Sequence, residues 1–270
     1  MLAEDLAVAL DPVLLARRAG IEPDPWQADV LRSNAPRMLL NCARQTGKST
    51  TTAVLAIHTL VYRPGSLVLV LSPSLRQSQE LFRKCVEVYR ALDRPVPAEA
   101  ETALRLELTG GSRLISLPGT ERTTRGFSAV DLLVIDEAAR VDDSLYQAVR
   151  PMLATSNGRL VALSTPWGKR GWWYDAWTGD GDWERITAPA TICPRISPEF
   201  LAEERIELGD WLFRQEYLCE FVDNEHQVFA TDLVLAAVTD GVPPLFADVA
   251  PAGGLLSTEV EPLRETEHSA

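Results

Sequence analysis

Lysine is almost absent from this chain. Among 270 residues it occurs only at positions 48, 84 and 169, and arginine supplies the rest of the positive charge. Basic residues number 26 against 38 acidic ones, a net charge of −12. That balance gives no support for tight nucleic-acid binding by this chain alone, because domains that grip nucleic acid by themselves usually carry an excess of Lys and Arg. Any DNA contact is expected to be local, or to draw its basic surface from another domain or subunit. Cysteine is scarce as well. Cys42, Cys85, Cys193 and Cys219 are scattered with no CxxC pair, which argues against zinc and a disulfide framework and fits a reducing cytosol. No apolar run nears the roughly 20 residues that span a membrane. Residues 1–20 lack a basic start followed by an apolar block, so a soluble, unsecreted protein with no membrane partner is expected. Internal repeats are missing too. What remains is 46% hydrophobic, enough for a real core in one large domain or one domain with appendages.

Against that background the stretch Asn41-Cys42-Ala43-Arg44-Gln45-Thr46-Gly47-Lys48-Ser49-Thr50 reads as a phosphate-binding loop. Arg37-Met38-Leu39-Leu40 before it has the look of a buried strand. Thr50 to Leu60 after it carries Val54, Leu55, Ile57 and Leu60 at helical spacing. Strand, tight loop and helix in that order aim successive backbone N–H groups at one spot. Gly47 lets the backbone come close to a phosphate. Lys48 is expected to reach the β- and γ-phosphates and the Ser49 hydroxyl to ligate Mg²⁺. One departure stands out: the usual pattern opens with glycine, and here that position is Cys42.

A second motif, Asp131-Leu132-Leu133-Val134-Ile135-Asp136-Glu137-Ala138-Ala139, is an apolar run closed by two carboxylates. The run fits a strand buried on both faces of a parallel sheet, whose carboxyl end is where ligands bind. Asp136 is expected to hold Mg²⁺ through water beside Ser49. Glu137 is expected to orient and deprotonate the attacking water. Alone, the two acids could equally end a strand and cap the next helix; downstream of a phosphate loop they point to nucleotide hydrolysis.

Elsewhere, residues 1–20 read as one short amphipathic helix, and Asp24-Pro25-Trp26-Gln27 opens a second with Pro25 at its first position. Ser66 to Leu71 reads as a buried strand, Leu75 to Leu92 as a helix, and Gly158 to Leu163 as another strand. Leu104–Leu108 and Arg113–Leu117 flank Thr109-Gly110-Gly111-Ser112, a β-hairpin. The alternation predicts an α/β fold with a mainly parallel sheet flanked by helices. From Pro198 the chain turns helical and mixed in charge, which suggests a small lid. After Phe246 it loses periodicity, and disorder is the expectation. The predicted division is a core over 1–197, a lid and linker over 198–246, and a tail over 247–270.

The ordered motifs resemble the ATPase domain of tailed-bacteriophage terminase large subunits, the motors that package DNA into proheads. Trp26-Gln27, Arg44 to Ser49, Arg122 to Gly126, Val134 to Ala138 and Ser164-Thr165-Pro166 match in order. Arg214-Gln215-Glu216-Tyr217 followed by Phe221 looks like the family's lid segment. The family tolerates loss of the first glycine. The resemblance implies a P-loop NTPase of the additional-strand type with a helical lid, in which the loop from Arg44 through Gln45, Thr46, Gly47, Lys48 and Ser49 to Thr50 binds ATP. By the same resemblance Gln27 reads the adenine edge and Arg44 is a cis charge near the γ-phosphate. Arg125 is the trans-acting arginine finger, with Arg122 competing for that role. Ser164 and Thr165 couple hydrolysis to DNA movement. Alternatives remain at several of these positions: Gln27 as a surface polar residue, Arg125 in a solvated basic loop, Ser164-Thr165-Pro166 as a plain turn, Arg214 in a surface salt bridge. Trp167, Trp172, Trp173, Tyr174 and Trp177 invite a base-stacking reading, but packing is favoured.

The implied function is Mg²⁺-dependent ATP hydrolysis that drives double-stranded DNA into a prohead, in the host cytoplasm. The implied partners are a portal protein, a small terminase subunit and further copies of the chain in a ring. The chain stops where an RNase H-like nuclease domain would begin, with Asp248 alone in a Pro/Gly/Ala context, so DNA cleavage is not expected of it. Two rival readings stay open. One is a helicase-like lobe, disfavoured because a second lobe of roughly 100 residues is missing. The other is a nucleotide-binding remnant, or half of a split terminase, without packaging activity of its own.

Overall fold

The N-terminal stretch is broken where a single helix was expected. In the computed structural model, which describes residues 2–119 and 126–223 together with Leu233, Ala236 and Ala237, α1 spans Leu2–Leu10 and α2 spans Pro12–Arg18. Pro12 has no N–H to continue a helix, and its ring fits only a first turn. Asp11 takes extended backbone and its side chain accepts from the Val13 N–H at 3.0 Å, so the same two residues end one helix and cap the next. α3 (Pro25–Arg32) starts at the expected proline, with Gln27 Oε1 accepting from the Asp24 N–H at 2.8 Å.

Eight strands form one sheet: β1 (Arg37–Cys42), β2 (Leu67–Ser72), β3 (Ala98–Glu101), β4 (Arg105–Leu108), β5 (Arg113–Pro118), β6 (Leu132–Asp136), β7 (Arg159–Ser164) and β8 (Glu184–Ala188). Their order is β3-β4-β5-β2-β6-β7-β1-β8. β5, β2, β6, β7, β1 and β8 run parallel, and β4 and β3 add antiparallel pairs at one edge. β7 therefore stands between the loop strand β1 and the acidic strand β6, the additional strand of the expected fold class. The β4–β5 hairpin turns at Gly110 and Gly111, both with positive φ of 104° and 85°, where a side chain would be strained.

The crossovers are α4 (Lys48–Tyr62), α5 (Leu75–Ala91), α6 (Asp143–Val149) and α7 (Gly171–Thr178). Side chains of each central strand alternate between two cores. Met38, Leu40, Val68, Val70 and Val134 pack with Ile57, Phe82 and Tyr89 on one face. Leu39, Leu69, Leu71, Leu133 and Ile135 pack with Leu145, Val149, Trp172 and Trp173 on the other. This settles two tryptophans as packing: both are buried, Tyr146 stacks on Trp172 with ring centroids 3.9 Å apart, and Trp172 Nε1 donates to Val141 O at 3.0 Å. α8 (Pro198–Leu218) follows, capped by Ser197 accepting from Phe200 N. Gly209, at φ 75° and ψ 160°, breaks it into two helical pieces. The tail expected over 247–270 lies outside the described residues.

Gly158 enters β7 beneath the Val130 carbonyl, and a Cβ there would lie 1.9 Å from that oxygen. Gly158→Ala is expected to lower the unfolding free energy by about 2 kcal/mol or more, since packed backbone cannot yield like a side chain. Denaturant unfolding tests this; an unchanged midpoint would show that the β6–β7 entry is slack.

Candidate functional site

The loop after β1 is held by its own side chains and by α3. Thr46 Oγ1 donates to Ala43 O at 2.9 Å, and Gln27 Nε2 donates to Thr46 O at 3.2 Å. Gly47 has φ 95°, where a side chain would be strained, and a Cβ on it would come within 2.5 Å of Gln27 Nε2 and displace that amide. Cys42 is different. It is the last residue of β1 with ordinary strand backbone, fully buried, so no glycine conformation is needed and a small apolar side chain fits. Burial pushes its thiol up to about 12, which leaves it protonated and unreactive.

Lys48, the first residue of α4, is where the motifs meet. Its Nζ lies 3.1 Å from Glu137 Oε1 and donates to Thr165 Oγ1, also at 3.1 Å. Thr165 Oγ1 in turn donates to Cys42 O at 3.0 Å, while Ser164 Oγ donates to Thr165 O at 2.8 Å. Asp136 ends β6 and is buried, and the Glu137 N–H donates to its Oδ1 at 3.0 Å. Glu137 itself sits at φ 49° and ψ 44°, a left-handed conformation that a non-glycine residue adopts only when its surroundings enforce it.

These groups face a cleft of about 790 Å³ whose lining includes Arg44, Gln45, Gly47, Lys48, Ser49, Thr50, Glu137 and Thr165. Five lining side chains are cationic (Arg44, Lys48, Lys84, Arg140, Arg195) and two are anionic (Glu137, Glu216). A cleft of that sign on a chain of net charge −12 is built for a small polyanion. Ser49 and Asp136 offer hard oxygen donors, and Asp136 is a buried carboxylate whose one hydrogen bond, among the described residues, comes from its neighbour's backbone. A buried charge so poorly matched by partners fits a site for Mg²⁺.

Not every expected residue reaches the cleft. Gln27 is buried, its amide engaged at both ends by Asp24 N and Thr46 O. Arg44 pairs through Nε with Glu216 Oε2 of α8, and its N–H donates to Glu216 O at 3.3 Å. Arg214 points elsewhere, its Nε donating to Glu220 Oε2 at 2.7 Å, so the lid residue at the cleft is Glu216. Arg122 and Arg125 lie outside the described residues. Lys84 and Gln77 on α5, Arg140 after β6 and Arg195 before α8 line the cleft without any motif to mark them. For Lys84 the one signal was its rarity.

Burial, followed by the charge of Glu137, raises the Asp136 carboxyl from 3.8 to about 6, against the pull of Lys48. An acid raised by folding holds its proton more tightly in the folded state. Its contribution therefore favours folding at low pH and is lost as the pH climbs from the ordinary carboxylate range through about 6. Asp136→Asn, neutral throughout, is expected to stabilise the nucleotide-free protein at pH 8 by on the order of 1–3 kcal/mol and to change little at pH 4. Urea unfolding at the two pH values measures it; a variant no more stable at pH 8 would mean that Asp136 is already satisfied.

Comparison with known proteins places this geometry. Residues 39–235 match the family described as terminase large subunit, T4likevirus-type, N-terminal. The terminase large subunit of Thermus virus P23-45 is 30% identical over 248 residues, covering 78% of this chain and 51% of that protein. That of Escherichia phage T5 is 25% identical, covering 85% of this chain and 55% of the relative. The chain thus spans about half the length of these relatives. Among solved structures, the large terminase ATPase domain of Thermus phage P74-26 superposes with a TM-score of 0.69 at 26% identity, over 77% of this chain and 97% of that one. The large terminase of a thermophilic bacteriophage in complex with ADP shares the fold, with a TM-score of 0.62 at 11% identity over 74% of this chain and 54% of that one. A phosphate loop, an acidic strand one strand removed and a helical lid segment, in this order and on this sheet, make the chain a member of the terminase large subunit family, matching its N-terminal, ATPase-domain part.

Proposed function

We propose that this chain is a Mg²⁺-dependent ATPase and the motor part of a terminase large subunit. In this reading it drives double-stranded DNA into a prohead as a ring of copies on a portal, with a small terminase subunit, in the host cytoplasm. The observation that carries the reading is the meeting of phosphate loop, Glu137 and Thr165 on one lysine, in a cleft whose charged lining residues are mostly cationic. The relatives' names as large terminases, and the ADP complex of one of them, support it.

Each residue then takes a role. Backbone N–H groups of the loop and the start of α4 cradle the phosphates. Lys48 leaves Glu137 for the β- and γ-phosphates, and Arg44 adds a cis charge. Ser49 and Asp136 would hold Mg²⁺, which when bound neutralises charge on the β- and γ-oxygens. Glu137, released from Lys48, orients the attacking water and takes its proton. Arg125 of a neighbouring copy is assigned to the charge that develops on the transferred phosphoryl. Thr165, bonded to both Lys48 and the Cys42 carbonyl, registers whether Lys48 is on the phosphates, which suits Ser164 and Thr165 to coupling. In this reading residues 1–197 are the core of the motor and 198–246 its lid and linker.

Steady-state hydrolysis of Mg·ATP by the intact chain tests the reading. Glu137→Gln is expected to reduce the rate by about 100-fold or more, the scale of a general base, and Lys48→Ala to abolish measurable turnover. A Glu137→Gln protein that keeps a rate within a few-fold of the parent would remove Glu137 as the base.

A further inference from the structure

Arg195 lies in the segment that joins β8 to the lid helix, with no motif around it, yet it is held as tightly as any residue of the loop. Its Nη1 donates to Asp24 Oδ1 at 2.9 Å, and its Nη2 donates to Asp24 Oδ2 at 2.7 Å and to Thr46 O at 3.3 Å. The Asp24 carboxylate is only 7% exposed, whereas the Arg195 side chain is 52% exposed and lines the nucleotide cleft beside Ile196. All three bonds run in the plane of the guanidinium, because its N–H groups do. The edge is therefore anchored, by Asp24 above all and with the Cys193 thiol also against the guanidinium, while the flat faces carry no N–H and suit stacking. Asp24 already balances the charge, so what Arg195 adds to the cleft is a fixed planar surface more than a free cation.

Gln27 stands behind this arrangement. Its amide bonds to Asp24 N and to the same Thr46 carbonyl that Arg195 uses, and it is absent from the cleft lining among the described residues. Gly47 has no side chain to intervene: a Cβ there would lie 3.7 Å from Arg195 Nη2. Ile196 packs against the apolar cluster of the lid helix, with Leu201, Phe213 and Tyr217. Planar cation and aliphatic neighbour together make a wall for an aromatic ring.

We propose that Arg195 is the base platform of the nucleotide site. The ring of the bound nucleotide stacks on its guanidinium against Ile196, and Asp24, Thr46 and Gln27 fix the platform's orientation. Base stacking and cation–π contact with an arginine need no match at the base edge, so Gln27 acts as a positioning residue and not as the reader of the base. This inference rests on the ATPase reading above, and the test separates the two.

The experiment is calorimetric titration of the intact chain with Mg·ATP and with Mg·tripolyphosphate, which has the phosphates but no base. Parent, Arg195→Ala, Arg195→Lys and Lys48→Ala are compared, with thermal melts of each as a folding check. Arg195→Lys keeps the charge and a partner for Asp24 while removing the plane, so it answers even where Arg195→Ala folds poorly. Both Arg195 variants are expected to bind ATP about tenfold more weakly, within the range for a lost stack, and tripolyphosphate within twofold of the parent. Lys48→Ala is expected to lose both ligands. Equal weakening of the two ligands, or no weakening of ATP by Arg195→Lys, would overturn the platform and leave the ATPase reading standing. A parent that binds neither ligand would overturn both.

Discussion

The Lys48 ammonium is shared between Glu137 Oε1 and Thr165 Oγ1, 3.1 Å from each, and it cannot serve those partners and a nucleotide's phosphates together. Both ends of the ion pair are largely buried, with 12% and 22% of the side chains exposed, so neither charge can lose its partner without a substantial penalty. An incoming polyphosphate offers Lys48 a stronger counter-charge. In the proposed reading the exchange frees the Glu137 carboxylate to act as base and simultaneously breaks the bond to Thr165. One nitrogen thus ties together the loop, the Glu137 carboxylate and the strand end at Ser164–Thr165.

That link depends on the sheet. β7 lies between β1 and β6, with Asn41 opposite Ser164 and Asp136 opposite Leu163, so the ends of the three strands sit at one level of the same edge. A strand inserted between loop and acid lengthens the reach from Lys48 to the acidic pair. The left-handed backbone at Glu137 turns the chain sharply at the strand end and carries its carboxylate to Lys48. Strain is accepted at that residue and supported by fully buried neighbours, Ile135 and Ala138, as is usual where geometry serves chemistry.

Legibility in the sequence followed burial. β2 and β6 are covered on both faces, read as unbroken apolar runs, and were found. The edge strands β3 and β8 were missed, because Ala98–Glu101 and Glu184–Ala188 are mostly exposed or half-buried and carry no periodic apolar signal. The break at Asp11-Pro12 was visible in the residue types, but the apolar spacing on either side suggested one helix. The loop and both acids were legible because each is fixed by chemistry at a short spacing, whereas Thr165 was marked only by the family resemblance. Arg195 and Glu216 were not, since each reaches the loop from more than 140 residues away and only the fold supplies the encounter. Arg214 forms the surface salt bridge that the sequence left open, with Glu220, and on this helix the residue facing the loop is Glu216, two positions further on.

Charge separates the two polyanions of the proposed function by length scale. At physiological salt the Debye length is about 8 Å, so five cations and two anions around the cleft set its potential almost independently of the −12 carried by the chain. A nucleotide entering the cleft meets that local field. A duplex meets many such patches of a surface on which 26 basic residues are outnumbered by 38 acidic ones, and that surface offers it little attraction. Attraction of DNA therefore has to come from groups brought by the assembly, or from a small region presented close to the duplex. Binding of a small polyanion is the property that the cleft's own charges support.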